Sequence, residues 1–231
     1  MRVLVIDTAL DVCAAGVFEH GDFEHTADDG WTTLSQAVEP MARGHQERIG
    51  PLVRDVVAAA GGFDALDRIG VTVGPGSFTG LRVGLAFALG LGAALDRPVV
   101  GLSTLDGLAA SVDPAGRVAA AIDARRGQVY LRTFLNGAPE GEPAPFDLDA
   151  ARTRLAETPG KWRIVGSGAA LIAPDGAEII DRAAADLPAL ARLTVGADPA
   201  MHPARPLYLR APDATPPTRL PGQARVRPVE A

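Results

Sequence analysis

A chain of 231 residues, 47% apolar and with a mean hydropathy of +0.13, carries enough apolar material for a substantial core in one or two domains, which excludes a disordered or fibrous protein. Its 28 acidic residues outnumber 22 lysines and arginines for a formal charge of −6, so the chain as a whole is not built to bind polyanions. The lone cysteine, Cys13, excludes an internal disulfide, and Met1-Arg2 runs directly into an apolar strand with no room for a signal peptide, so a cytoplasmic location is expected.

In chain order, residues 2–8 read as a strand ending in Asp7-Thr8, residues 12–19 as the next strand, and residues 23–26 as a third after the turn Gly21-Asp22. A polar stretch, 28–46, follows. Ile49, Leu52, Val53, Val56, Val57 and Ala60 fall at helical spacing, predicting a helix over 47–60 that tolerates Pro51 in its first turn and stops at Gly61-Gly62. The apolar run 69–73 reads as a strand. It enters Gly74-Pro75-Gly76-Ser77-Phe78-Thr79-Gly80, and a helix is predicted over 81–95 with Ser77 or Thr79 as its cap. That segment is interrupted by Arg82 and reads as too short and glycine-rich to span a membrane, so no membrane partner is expected. Val99-Val100 closes a first lobe, residues 1–102. A second lobe, 103–210, begins with a hairpin, 117–123 and 128–134, around Arg125-Arg126-Gly127. A loop (136–146), a helix (147–157), a strand (163–165) and a helix (184–193) complete it. Residues 211–231 are rich in proline and arginine and read as a disordered tail.

The turn from Gly74 to Gly80 is the sharpest functional signal. Glycines Gly74, Gly76 and Gly80, with Ser77 and Thr79, sit between a strand and a helix. That is where backbone N–H groups hold phosphate, and equally where a tight connection holds nothing. The Walker pattern fails, because the only lysine is Lys161, and the dinucleotide pattern fails at position 79. Asp7, with Thr8 beside it, reads either as a metal-organising carboxylate or as a turn former. An internal echo bears on the choice. Val5-Ile6-Asp7 is matched by Ala121-Ile122-Asp123, and Val73-Gly74-Pro75-Gly76 by Val165-Gly166-Ser167-Gly168. Strand, hairpin and later glycine turn, given twice, suggest an α/β chain of the actin-like ATPase (RNase H-like) fold, two duplicated lobes of mixed sheet plus helices.

The chain resembles the YeaZ/TsaB family. The resemblance rests on Val5-Ile6-Asp7-Thr8, His45-Gln46-Glu47-Arg48-Ile49 with Pro51, Gly74 through Gly84, Ser103-Thr104-Leu105, Ile122-Asp123-Ala124-Arg125-Arg126-Gly127-Gln128-Val129-Tyr130 and Tyr208-Leu209-Arg210, in the family's order. It implies an actin-like fold and a part in making N6-threonylcarbamoyladenosine at position 37 of ANN-decoding tRNAs. It further implies a TsaD-like catalytic partner and a TsaE-like ATPase; relatives have also been called M22 glycoprotease homologues.

A search for a catalytic set finds none. His20, His25, His45 and His202 include no i,i+4 pair, so no metal site is expected, and no nucleophile elbow occurs. His45, alone before a helix, reads as a cap or surface residue. The resulting expectation is a non-catalytic subunit with a degenerate nucleotide-type loop (Asp7, Thr8, Gly74, Gly76, Ser77, Thr79, Gly80, Asp123). It requires no cofactor of its own; ATP and Mg²⁺ would act at the partner or weakly in the cleft, and tRNA would be reached through the complex. An autonomous ATP-dependent phosphotransferase with Asp7 as metal acid, and a glycoprotease-like peptidase, remain the alternatives. Leu52, Val56, Leu85 and Leu89 are the candidate partner interface, and the isolated chain is expected to close that patch against a second copy.

Overall fold

The computed structural model describes residues 1–21 and 30–210. A first sheet contains β1 (Arg2–Asp7), β2 (Val12–His20), β3 (Trp31–Pro40), β4 (Arg68–Gly74) and β5 (Val99–Ser103) in the order β3-β2-β1-β4-β5. β1, β2 and β3 form an antiparallel meander, and β4 and β5 join β1 in parallel. A second sheet contains β6 (Arg117–Arg125), β7 (Gln128–Leu135), β8 (Ala138–Pro139), β9 (Ala144–Asp147), β10 (Trp162–Val165) and β11 (Glu178–Ile180), in the order β11-β10-β6-β7-β8 with β9 also on β7. Here too a hairpin, β6–β7, is extended on the other side by two parallel strands. The same order laid down twice is the duplicated topology of the actin-like fold.

β1 is apolar on both faces and divides the core of the first lobe. Leu4 and Ile6 point to α1 (His45–Ala59) and α2 (Phe78–Leu95), while Val3 and Val5 point to α6 (Leu187–Gly196). Cys13 lies in the first of these clusters, where burial pushes its thiol up to about 11 and keeps it an unreactive hydrophobe. Around the second sheet, α3 (Thr104–Ala110) covers one face and α4 (Leu148–Glu157) and α5 (Ala169–Ile172) the other.

Residues 103–210 therefore do not all build a second lobe. Residues 104–180 carry the second sheet and its helices, whereas α6 returns to the first sheet. Gly70 permits this: a Cβ there would lie 2.0 Å from Thr194 Oγ1. The Arg68 guanidinium then donates to the carbonyls of Thr194, Val195 and Ala197 at 2.9, 3.1 and 2.7 Å, satisfying the open end of α6. Beyond α6 the chain forms a strap along the outer side of β5 and back to β4, with Gly101 N–H donating to His202 O and Leu207 N–H to Val73 O.

Several boundaries differ from the sequence expectation. The third strand is at Trp31–Pro40, within the stretch read as polar; the residues expected to form it, 23–26, lie outside the described ones, as does the tail 211–231. An edge strand is half solvated, so its Thr32, Thr33, Ser35 and Gln36 hide the alternation. α2 begins at Phe78, capped by Ser77 and not Thr79. At 18 residues and a mean hydropathy of 1.6 it has a membrane span's length and composition, yet Gly80, Leu81, Gly84, Leu85, Ala88 and Gly92 pack it into the lobe. α3, α5, β8, β9 and β11 are short and set among turn residues, which the sequence pattern does not mark; β8 and most of β9 fall in the stretch 136–146 expected as a loop, and the helix expected over 184–193 lies at Leu187–Gly196.

The Gly70–Thr194 contact gives a direct test. Gly70→Ala should cost about 1–3 kcal/mol by overpacking, measured by chemical denaturation, and Thr194→Ala in the same chain should recover part of that loss.

Candidate functional site

The turn between β1 and β2 lies in the glycine loop between β4 and α2. Thr8 Oγ1 donates to Gly80 O at 2.8 Å, and Ser77 N–H donates to Ala9 O at 2.6 Å. A Cβ at Gly76 would stand 2.1 Å from Ala9 O, one at Gly80 2.1 Å from Thr8 O, and one at Gly84 2.3 Å from Thr8 Oγ1. Gly76 and Gly80 are required because backbone approaches backbone, and Gly84 because the Thr8 side chain seats against it. Gly74 is needed for a second reason, its φ of 112°, a region in which L side chains are strained. The loop amides are engaged internally as well: Gly80 N–H donates to Ser77 Oγ at 3.3 Å and Leu81 N–H to Ser77 O at 2.9 Å. Of these amides, Ser77 serves the β1–β2 turn, while Gly80 and Leu81 make the ordinary cap and first-turn bonds of α2. Thr79 is exposed beside them.

Asp7 is sealed beneath this contact. Its Oδ1 accepts from Ala9 N–H at 3.0 Å and from the Thr72 hydroxyl at 2.8 Å, while Oδ2 is buried without a hydrogen-bond partner. Burial raises its pKa, and the bonds from Ala9 and Thr72 and the proximity of His45 offset that only in part. His45 is neither a cap nor a surface group. Gly44 caps α1, and the His45 ring is buried with Nε2 3.0 Å from Val12 O, so this nitrogen carries the proton.

The second lobe repeats the aspartate turn. Asp123 Oδ1 accepts from the N–H two residues on, at Arg125 (2.8 Å), as Asp7 does from Ala9. Gly168 N–H donates to Ala121 O at 3.0 Å, and a Cβ at Gly166 would lie 2.4 Å from the same oxygen. Asp123 N–H also donates to Ser167 Oγ, and its carboxylate pairs with the exposed Arg125 at 3.2 Å. Among the described residues, no three His, Cys, Asp or Glu side chains cluster so as to hold a metal.

Three of the four residues expected at a partner interface are core. Leu52, Val56 and Leu85 are buried in the cluster between the first sheet and its two helices; only Leu89 is exposed, at 47%. Helical spacing showed that the apolar rows exist but not which row the sheet covers, and the sheet takes the glycine-bearing side of α2 because backbone there can come closest. The exposed stripe is Phe78, Arg82, Ala86, Leu89 and Ala93. At its start Phe78, 49% exposed, meets the Tyr208 ring from the strap at 5.4 Å between centroids. The Arg82 guanidinium lies 3.7 Å over the Phe78 ring, and Arg82 Nε donates to the Tyr208 hydroxyl at 3.2 Å. Gln46, Ile49, Val83 and Phe87 complete a groove of about 510 Å³ beside this cluster. Sequence reasoning missed Phe78, Arg82 and Tyr208 as a unit, although the first two lie in the glycine motif and Tyr208 in Tyr208-Leu209-Arg210.

The state of Asp7 has a testable consequence. A carboxyl whose pKa is raised by folding binds its proton more tightly in the native state, so it lowers stability as pH climbs above the ordinary 3.8 through the folded value. Asp7→Asn should therefore raise the melting temperature at neutral pH, and the gain should vanish at low pH, where the wild-type carboxyl is protonated in both states.

The geometry can be set beside known proteins. The family model described as TsaD, tRNA N6-adenosine threonylcarbamoyltransferase, matches residues 34–144. The tRNA threonylcarbamoyladenosine biosynthesis protein TsaB of Escherichia coli K12 is 32% identical over 230 residues, covering 91% of this chain and 95% of that protein. YeaZ from Pseudomonas aeruginosa has a solved structure that superposes with a TM-score of 0.67 at 27% identity, covering 90% of this chain and 99% of that one. A second solved structure, described as similar to peptidase YeaZ from the same organism, gives 0.70 at 29% identity with the same coverage. With a curated relative this similar along nearly its whole length, and with the duplicated sheets and glycine loops in place, the chain belongs to the TsaB (YeaZ) family of tRNA threonylcarbamoyladenosine biosynthesis proteins.

Proposed function

We propose that this chain is a non-catalytic, activating subunit of the cytoplasmic machinery that forms N6-threonylcarbamoyladenosine at position 37 of ANN-decoding tRNAs. It binds a TsaD-like catalytic subunit, with a TsaE-like ATPase as further partner, and meets tRNA through the assembled complex, which supplies the phosphate contacts a chain of charge −6 is poorly suited to make. The observation that carries this reading is the occupied glycine loop. Thr8 O and Ala9 O sit against Gly80 and Gly76 where a nucleotide phosphate would need room, and Asp7 is sealed from solvent. On this reading the chain requires no cofactor of its own, and ATP and Mg²⁺ act at the partner or weakly in the cleft.

A subunit of this kind works by contact. The exposed stripe of α2 with Tyr208 offers what protein interfaces favour: aromatic rings, an arginine stacked on one of them, and a neighbouring apolar groove.

Two measurements test the reading. The purified chain should neither hydrolyse ATP nor modify tRNA, and should restore the modification only when a TsaD-like enzyme, a TsaE-like ATPase and an activated threonylcarbamoyl donor are supplied; robust turnover by the chain alone, lost in Asp7→Ala, would overturn it. Leu89→Glu should weaken capture of the TsaD-like protein by about tenfold or more, the effect of losing 1.4 kcal/mol, with an unchanged melting temperature. Leu52→Glu should instead unfold the chain, because Leu52 is core.

A further inference from the structure

The groove beside α2 has the chemistry of a proline-binding surface. Phe78 and Phe87 supply two aromatic rings, Ile49 and Val83 add apolar surface, and Gln46 and Thr79 bring an amide and a hydroxyl. Proline-rich segments dock in aromatic-lined grooves, because they offer ring faces and unpaired carbonyls and have little backbone freedom left to lose. Gln46 and Thr79 are exposed, so their donors stand where such carbonyls would pass.

The strap brings a segment of that kind to the edge of the groove. Leu207 N–H donates to Val73 O, the Tyr208 ring lies on Phe78, and Arg210 Nη2 donates to Gln128 Oε1. The strap already lays prolines along the first lobe: Pro203 bridges to Val100, and Pro206 stands just before the Leu207 bond. Residues 211–231 follow, outside the described ones. They contain Pro212, Pro216, Pro217, Pro221 and Pro228 and no aromatic residue, so any ring their prolines meet must come from elsewhere. The lengths agree. Phe78 and Phe87 stand about 14 Å apart along α2 at about 1.5 Å per residue, and residues 216–221 in polyproline geometry span about 16 Å. Pro217 and Leu220, one polyproline turn apart, share a face. Residues 211–215 can cover up to about 18 Å, enough to turn back from Arg210.

We propose that residues 216–221 of this chain's own tail occupy the groove, with Pro217 and Leu220 against the rings of Phe78 and Phe87. A tethered segment acts at an effective concentration on the order of millimolar, so a seat with a dissociation constant below that is mostly filled. The consequence for assembly rests on the role proposed above for α2: a partner must displace the tail, and its apparent affinity falls by the fraction of chain left uncovered.

Paramagnetic broadening in the full chain, without a partner, tests the seat. Thr218→Cys carries a nitroxide, while native Cys13 is buried and stays unlabelled. Amide signals of residues 79–87 should broaden more than those of β9, which lies beside Gln128 where the tail departs. Leu220→Asp in the same chain should restore them. Both changes lie outside the described fold. Broadening no stronger on 79–87 than on β9, or untouched by Leu220→Asp, would overturn the proposal. So would broadening that fades on dilution into unlabelled chain, which would put a neighbour's tail in the groove. Leu220→Asp should also tighten capture of a TsaD-like protein about threefold or more. The expected broadening with unchanged capture would uphold the tail's seat and count against α2 as the partner surface.

Discussion

The seating of Thr8 O and Ala9 O against Gly80 and Gly76 fixes most of what surrounds it. It sets the distance between the β1–β2 turn and the first turn of α2, and so the tilt of that helix over the sheet. With Gly84 and Thr8 in the same contact, the small-residue side of α2 is forced inward and Phe78, Arg82 and Leu89 outward. The contact also roofs Asp7. A single larger side chain at position 76 or 80 would separate turn from helix and expose the carboxylate.

The second lobe uses the same device with different consequences. Both aspartates take the N–H two residues on, but the close contact falls differently: Gly76 meets Ala9 O, after Asp7, whereas Gly166, the counterpart of Gly74, meets Ala121 O, before Asp123. Yet Asp123 is partly exposed and paired with Arg125, whereas Asp7 is fully buried. Duplication has preserved the hydrogen-bonded aspartate turn and let the chemistry of the two carboxylates diverge.

The parts of this arrangement that rest on backbone chemistry were legible in the sequence. The glycines of the loop, the repeated Ile-Asp and the Val-Gly-x-Gly turns all mark places where only certain residues fit, and the duplicated fold followed from them. What stayed hidden depends on tertiary choice. Leu52 and Leu89 are both apolar residues on amphipathic helices, and nothing local says that one faces Ile6 and the other solvent. β3 was hidden because an edge strand needs few apolar residues. The return of α6 was hidden because its warrants, Gly70 and Arg68, lie well over a hundred residues before the helix they receive.

That return has a consequence for how the chain is made. Synthesis delivers β1, β2, β4 and β5 early, but among the described residues the helix that covers one face of the sheet they form, with Val3, Val5, Phe18, Val100 and Leu102, is α6. Until residues 187–197 emerge from the ribosome, the nascent chain presents an apolar sheet face with no lid, the kind of surface that chaperones hold and that aggregates when it is not held. The first half of this protein is therefore not a unit that can mature while the second is translated. Its completion waits on α6, and Arg68 waits with it.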